Sequence, residues 1–181
     1  RFTTGAMTVT AGARYEEITV MRDDWGKTDP DRSETPSKRE HTMDVIVPGV
    51  GVEYAINEFQ TVSLGVHKGF APPGPGTSGV TDKAVDPETS MNTEIGFKSN
   101  KGLNSLEFTL FMNSYDNLLG ADTAASGGGS DELFNGGAVD ISGFELYLRR
   151  ILVDNGRIQM PLELSWTNTN SEFQESFDGF W

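Results

Sequence analysis

The sequence has 181 residues, a formal net charge of −13 and no Cys. An acidic chain is a poor partner for DNA or RNA, since a phosphate backbone is bound by a basic surface, and a chain without Cys has neither a disulfide scaffold nor a thiol nucleophile. No stretch approaches the roughly eighteen apolar residues of a membrane-spanning helix, while 21 Gly among many Thr, Ser, Asn and aromatic residues indicate an all-β fold.

The N-terminal part predicts two strands with a long loop between them. From about Met7 to Val20, apolar and polar residues alternate, which is typical of a strand with one apolar face. The segment from Arg22 to Thr42 is charged and rich in Asp, Pro and Ser, and it predicts a long exposed loop. Alternation resumes from Val45 to Ile56, and the chain then reverses over 57–60.

The central part repeats this organisation. A strand is predicted from Thr61 to Phe70, and a Pro- and Gly-rich run then opens a second long loop that continues to Pro87. Two more strands follow, Ser90 to Ser99 and Leu106 to Met112, joined by a short turn at Asn100-Lys101-Gly102.

The C-terminal part predicts two further strands. A third long loop, Asp116 to Gly137, contains the Gly-rich run 127–129 and precedes a strand from Val139 to Ile151. Asp154-Asn155-Gly156 is a strong hairpin signal, and it leads into a strand from Met160 to Thr167. The remaining segment, Asn168 to Trp181, predicts a fourth loop.

Long loops and short turns alternate regularly between these seven strands. In an outer-membrane barrel the extracellular loops are long and the periplasmic turns are short, and the strands have roughly 9–11 residues with one face toward lipid. The pattern therefore predicts an all-β fold: an antiparallel transmembrane β-barrel fragment of about seven strands from a larger barrel. Two alternatives stay open, a soluble acidic β-sandwich that acts as a binding module and a passive porin-like barrel.

Charged residues fall mainly on one face of the predicted strands. The polar face carries Arg14, Glu53, Glu94, Glu107, Glu145 and Glu163. Lys68 and Arg150 fall on the apolar face, but near strand ends, where a long side chain reaches the membrane interface. Tyr54 and Trp166 are also expected near strand ends on this face, as in an aromatic girdle. A charged interior suits a water-filled or plugged lumen and does not suit the dry core of a sandwich.

An ordered set of short motifs resembles the C-terminal barrel half of TonB-dependent receptors, and within that family the ferric dicitrate and siderophore receptors. The motifs extend over nearly the whole chain and comprise Val66–Pro73, Val85–Thr89, Asn92–Lys98, Leu110–Asn117, Ser142–Leu146 and Met160–Thr167.

The resemblance implies TonB-dependent import of a ferric chelate across the outer membrane of a Gram-negative bacterium. It implies that residues 1–181 form part of a barrel that contacts lipid and lipopolysaccharide. The TonB complex would act through an N-terminal plug that this sequence lacks. The sequence begins and ends abruptly, which is expected of a piece of a longer protein. No cofactor, catalytic residue or nucleic-acid partner is implied.

A local excess of basic residues marks a candidate ligand site. Arg32, Lys38, Arg39 and His41 lie in the first predicted loop, where Arg in particular binds carboxylates through two hydrogen bonds. His67 lies on the polar face near the extracellular rim. The alternative is a solvated loop whose acidic residues cancel these charges, with His67 as a packed polar residue.

A second candidate set lies on the polar face. Arg14, Glu94 and Glu145 are predicted to contact the plug, or alternatively to pair across neighbouring strands. Four acidic residues in the third loop do not have the spacing of a calcium-binding loop, and no metal site is predicted: Asp116, Asp122, Asp131 and Glu132. The run 127–129 is not followed by the Lys-Ser/Thr of a phosphate-binding loop.

Overall fold

The computed structural model describes residues 1–26, 29–72, 87–116, 118–121, 133–135 and 137–174. In these ranges the regular structure consists entirely of β-strands. None of the described residues lies in a helix long and apolar enough to cross a membrane. The Pro- and Gly-rich run after Ala71 falls mostly outside the described residues, as do the run 127–129 and three of the four acidic residues considered for calcium, Asp122, Asp131 and Glu132.

The described part of the chain contains ten strands. They are β1 (Phe2–Thr4), β2 (Met7–Asp24), β3 (Ser37–Asn57), β4 (Gln60–Ala71), β5 (Glu88–Lys101), β6 (Asn104–Tyr115), β7 (Leu119–Ala121), β8 (Leu133–Asn135), β9 (Val139–Asp154) and β10 (Gln159–Phe173).

Eight of the strands form one antiparallel sheet in the order β1-β2-β3-β4-β5-β6-β9-β10. The seven long strands are those predicted from the alternation, and β1 adds a short strand at one edge. β7 and β8 pair only with each other and form a small separate sheet within the predicted third loop. Short turns and long connections alternate along the main sheet, which confirms the predicted antiparallel organisation.

The short turns form where the sequence predicts them. β5 and β6 are joined through Gly102 and β9 and β10 through Gly156, and both glycines have positive φ angles, 61° and 77°. Such a conformation is unfavourable for a residue with a Cβ atom. In the β3–β4 turn, the Asn57 side chain accepts a hydrogen bond from the Phe59 backbone N–H at 2.9 Å.

The predicted first loop is wrong over much of its length. β2 continues to Asp24 and β3 begins at Ser37, so the connection is reduced to residues 25–36. The two strands pair residue by residue up to Asp24 and Ser37. Charged side chains are compatible with this ribbon because they project from a two-stranded element into water. This two-stranded element, Arg14–Asp24 together with Ser37–Val47, is called the ribbon.

The predicted fourth loop is also partly wrong. β10 runs to Phe173, and Asn168, Thr169 and Asn170 pair with residues of β9. Polar residues in this stretch therefore belong to the sheet. Trp166 lies at the middle of β10 and not near its end, because the strand is longer than the sequence pattern predicted.

The ribbon separates from the rest of the sheet at Pro48. Pairing between β3 and β4 stops at Gly49 and His67, although β4 continues to Ala71. The Ala55 N–H donates to the Ala6 carbonyl on the β2 side, and since hydrogen-bonding direction alternates along an antiparallel strand, position 48 is directed toward β4. Proline has no N–H to donate there, so the β3–β4 ladder ends and the ribbon continues alone.

The sheet has one apolar and one polar face. The apolar face exposes large side chains across neighbouring strands, and Leu64, Ile95, Leu110 and Trp166 are each between 45% and 57% exposed. Among the described residues only Met43, Val45 and Val139 are buried hydrophobics. A soluble sandwich buries its apolar faces against each other, so this sheet, with its apolar face outward, lacks the core of such a fold.

The apolar face of the sheet becomes polar in the ribbon, and the polar face becomes partly apolar. Tyr15 and Ile46 are the last opposed pair of the apolar face before acidic and hydroxylated pairs replace them, first Glu17 with Asp44 and then Thr19 with Thr42. On the other side of the ribbon, Met43 and Val45 are buried. The apolar band of the sheet therefore ends at the level of Tyr15 and Ile46.

Candidate functional site

The centre of the polar face is a shallow depression with a glycine floor. One row of directly opposed residues runs across five strands, from β3 to β9: Gly51, Gly65, Glu94, Phe111 and Gly143. The next row toward the short turns is Glu53, Ser63, Gly96, Thr109 and Glu145. A cavity of about 410 Å³ lies over Gly51, Gly65 and Gly96 and is bordered by Glu53, Glu94 and Thr109.

Three carboxylates on this face form no ion pair in the described part of the chain: Glu53, Glu94 and Glu145. Arg1 lines the same cavity as Glu53 and Glu94 but forms no ion pair with either. They lie on alternate strands, β3, β5 and β9, and adjacent rows. With strands about 4.8 Å apart and residues about 3.3 Å apart along a strand, neighbouring members of this set have Cα atoms about 12 Å apart. The three carboxylates are too distant to share one small ion, but they present a row of negative charge.

Two ion pairs lie elsewhere on the same face. Nearer the short turns, Lys98 Nζ lies 2.6 Å from Glu107 Oε1, and Arg149 Nε lies 3.5 Å from Glu163 Oε1. The polar face therefore has ion pairs near the short turns and, at its centre, carboxylates that form no ion pair.

Arg14, predicted together with Glu94 and Glu145, lies elsewhere on the polar face. It is opposite Val47, at the base of the ribbon, and its Nε atom forms an ion pair of 2.9 Å with Glu16 on the same strand. The structure thus places Glu94 and Glu145 in adjacent rows but separates Arg14 from both.

His67 lies one row from Glu94, toward the ribbon, and faces Gly49 on one side and Asn92 on the other. A Cβ atom at Gly49 would be 3.1 Å from the His67 Cβ, so the glycine gives the imidazole room over the sheet. Asn92 Nδ2 donates to Ser90 Oγ at 3.1 Å. The imidazole is therefore exposed above a polar surface near the base of the ribbon.

The basic residues predicted in the first loop are divided by the ribbon. Arg39 and His41 share the side of the ribbon that continues the polar face, whereas Lys38 projects to the opposite side, across from Asp23. Arg39 is opposite Arg22, which forms an ion pair of 2.8 Å with Asp24. The Gly26 N–H and then the two guanidinium groups hold the pKa of Asp24 below its usual range. Arg22, which the sequence interpretation missed, thus joins Arg39 in a cationic pair.

Arg32 belongs to the hairpin tip, the described residues 25–26 and 29–36 between β2 and β3. The Asp29 carboxylate accepts hydrogen bonds from the Ser33 N–H, the Ser33 hydroxyl and the Glu34 N–H at 2.8–3.0 Å. The backbone donors of Glu34 and Ser33 lower the pKa of Asp29. These bonds fold the tip back on itself.

Trp25 completes this tip and was not singled out from the sequence. Its indole N–H donates to the Glu34 carbonyl at 3.0 Å, and the Arg32 guanidinium lies 5.1 Å from the ring centroid. Arg32 has a φ angle of 53°, in the left-handed region that residues other than glycine rarely adopt. The sequence signal that could have identified the tip is Asp29-Pro30 followed by Ser33, a turn pattern between two strands.

The sequence matches one known family: residues 1–179 match the family described as TonB dependent receptor-like, beta-barrel. A search of curated proteins gives no match.

Several solved structures share the fold at low identity. The FrpB iron transporter of Neisseria meningitidis (F3-3 variant) is 19% identical, with a TM-score of 0.69 over 94% of this chain and 24% of that one. The alcaligin outer membrane receptor FauA of Bordetella pertussis is 18% identical, with a TM-score of 0.65 over 95% and 28%. The ferric yersiniabactin uptake receptor FyuA of Yersinia pestis is 17% identical, with a TM-score of 0.68 over 94% and 25%. The chain spans about a quarter of the length of these proteins.

Proposed function

This chain belongs to the TonB-dependent receptor-like β-barrel family, and on that premise we propose that it is part of an outer-membrane receptor that imports a ferric chelate of the siderophore or ferric dicitrate type. The import would be driven by the TonB complex through a plug domain located elsewhere in the longer protein. Residues 1–181 would then contribute strands and loops to the barrel wall, with transport rather than catalysis as the activity.

The observation that carries this proposal is the two-faced sheet. Its exposed apolar band matches a lipid-facing barrel wall, and the opposite face carries ion pairs and free carboxylates, which a hydrated lumen tolerates and lipid does not. The identities of the structural neighbours support the choice of an iron chelate, since they include an iron transporter and receptors for alcaligin and ferric yersiniabactin.

The carboxylates that form no ion pair favour a barrel lumen that also contains another part of the protein. Glu94 and Glu145 project from the polar face and form no ion pair in the described part of the chain, whereas nearby Glu107 and Glu163 each form one. A charged group left unpaired in a closed site is unfavourable. We therefore propose that Glu94 and Glu145 pair with basic groups of the plug. Arg14 instead pairs with Glu16 on its own strand.

In the proposed receptor, the ligand would bind at the ribbon and at the surface of the sheet at its base. An anionic chelate that enters from outside would meet basic residues on this side. These are Arg39 and His41 on the polar-face side of the ribbon, His67 below them and Arg32 at the tip. Lys38 projects from the other side of the ribbon. It would face the lipopolysaccharide headgroups that surround the barrel, and the apolar band below would contact lipid.

The test is uptake of radiolabelled ferric citrate and a panel of ferric siderophores by cells that carry the full-length gene, with and without a functional TonB system. The proposal expects TonB-dependent accumulation of one chelate. A soluble gene product with unchanged iron uptake would overturn it. Uptake that is independent of TonB would instead favour the passive porin-like barrel.

A further inference from the structure

A second depression lies on the apolar face, at the end of the sheet where the short turns are. Its volume is about 350 Å³. Two rows of apolar-face residues form most of its lining: Ser99, Leu106 and Leu148, and below them Lys101, Asn104 and Arg150, on β5, β6 and β9. Ser105, Arg149 and Ile151, which belong to the other face of the strands, complete the lining. The depression therefore combines an apolar upper part with a polar, cationic lower part.

Lys101 and Arg150, two of the three cations in this lining, lie in one row across three adjacent strands. Lys101 is directly opposite Asn104, and the Asn104 Oδ1 atom accepts a hydrogen bond from the Ile151 N–H at 2.9 Å, which fixes Asn104 between the two basic residues. Strand spacing puts the Cα atoms of Lys101 and Arg150 about 10 Å apart. The Lys101 ammonium also lies 5.3 Å from the centroid of the Phe59 ring, on the neighbouring turn.

Charge on the apolar face is distributed unequally between its two ends. None of the residues lining this depression is acidic, and Glu107 and Glu163, the nearest glutamates of β6 and β10, project to the polar face, where they pair with Lys98 and Arg149. At the opposite end, Glu17 and Asp44 face each other above the apolar band. Among the described residues, it is the end with the short turns where two cations border an apolar surface and could bind an anion.

We infer that this depression binds the headgroup of an anionic phospholipid in the membrane leaflet on the side of the short turns. The phosphate would lie between Lys101 and Arg150, with the Ser99 hydroxyl as a further donor. An acyl chain would follow Leu106, Phe108 and Leu110 along the exposed apolar face. The inference rests on the part of the proposed function that places this sheet in a membrane, and it adds a lipid class and the residues that select it.

The experiment uses the full-length receptor in a neutral detergent, equilibrated with phosphatidylglycerol or phosphatidylcholine, and counts retained lipids by native mass spectrometry. Wild type should retain phosphatidylglycerol in preference to phosphatidylcholine. Since a cation near a membrane surface contributes about 1 kcal/mol, the double variant Lys101→Gln with Arg150→Gln should retain on the order of 30-fold less phosphatidylglycerol. Lys68→Gln is the matched control and should behave as wild type. It also removes a cation from the apolar face, but at the end of the sheet opposite the short turns.

Equal retention of the two lipids by wild type, or undiminished retention by the double variant, would overturn the inference. Chelate uptake by the double variant provides the second readout, because neither residue lies in the proposed transport surface. Normal uptake with lost lipid selectivity supports the lipid site and shows that the variant folds. If instead the wild-type receptor selects phosphatidylglycerol but imports no chelate, the proposed function fails while the lipid site stands.

Discussion

The ring of Phe111 on β6 lies over Gly143, the residue directly opposite it on β9. A Cβ atom at position 143 would be 2.8 Å from Phe111 Cζ and would also overlap the backbone carbonyl oxygen of Asn168 on β10. The absence of a side chain at this position is therefore a packing requirement of three adjacent strands.

Gly143→Ala should destabilise the barrel by about 1–3 kcal/mol, because the added methyl group forces the Asn168 backbone to move. Gly65→Ala is the matched control, since Gly65 lies in the same row and nothing would contact its added Cβ within 4 Å. The measurement is urea unfolding of the full-length receptor in detergent. Equal midpoints for the two variants would contradict the packing assignment.

Leu110→Lys should impair membrane insertion, whereas Thr109→Lys should not. The two residues are adjacent on β6 and project to the apolar and polar faces respectively. A lysine directed to lipid near mid-membrane costs roughly 2–4 kcal/mol, and a lysine in a hydrated lumen does not incur this cost. Folding yield in phospholipid vesicles measures the difference. Equal yields would mean that the apolar face does not meet lipid.

The hairpin tip should lose its order in acid. The pKa of Asp29 is lowered by hydrogen bonds from the Glu34 and Ser33 backbone N–H groups, so the folded tip favours the ionised form. Its stabilisation is complete above the ordinary Asp pKa of about 3.9 and decreases as the pH falls through the lower pKa of the folded state. Hydrogen exchange of the Ser33 and Glu34 amides should accelerate, relative to the intrinsic rate, over this window.

Asp29→Asn should reproduce part of this loosening at neutral pH, since an amide has one acceptor oxygen in place of two. Asp31→Asn, in the same tip and exposed, is the control. Unchanged protection of the Ser33 and Glu34 amides in Asp29→Asn would show that the carboxylate does not hold the tip.

Glu94→Gln and Glu145→Gln should lower TonB-dependent uptake while leaving chelate binding at the cell surface unchanged. If each carboxylate pairs with a basic group of the plug, removal of its charge leaves that group unpaired at a cost of roughly 2–5 kcal/mol, and uptake should fall on the order of tenfold or more. Glu58→Gln, in the exposed β3–β4 turn, is the control. Wild-type uptake by both lumen variants would exclude these residues from plug contact.

Arg39→Gln should weaken binding of an anionic ferric chelate, and Lys38→Gln should have little effect. The two residues are consecutive but lie on opposite sides of the ribbon. A hydrogen bond to a charged group contributes roughly 1.5–3 kcal/mol, so Arg39→Gln should raise the dissociation constant on the order of tenfold or more. Isothermal titration of the full-length receptor measures both. A larger effect of Lys38→Gln would show that the ligand approaches the other side of the ribbon.

The sequence alone was sufficient for the existence of the seven long strands, for their short turns and for the face of each side chain within the predicted strand segments. Alternation places Glu94 and Ile95 on opposite faces in any strand that contains them, and Asn155-Gly156 provides the conformations of a tight turn, so these features follow from local geometry. The family resemblance was accessible for the same reason, since its motifs lie mainly in the strands.

Only the tertiary structure decided which side chains meet across strands and how far the strands extend. The register that brings Glu94 opposite Phe111 and Arg14 opposite Val47 depends on pairing between distant segments, which composition does not encode. The charged stretch after Arg22 was interpreted as a loop because it cannot form a core, but a paired ribbon in water needs no core of that kind. The two strands of the ribbon satisfy their backbone hydrogen bonds by pairing with each other. This pairing cannot be inferred from either segment alone.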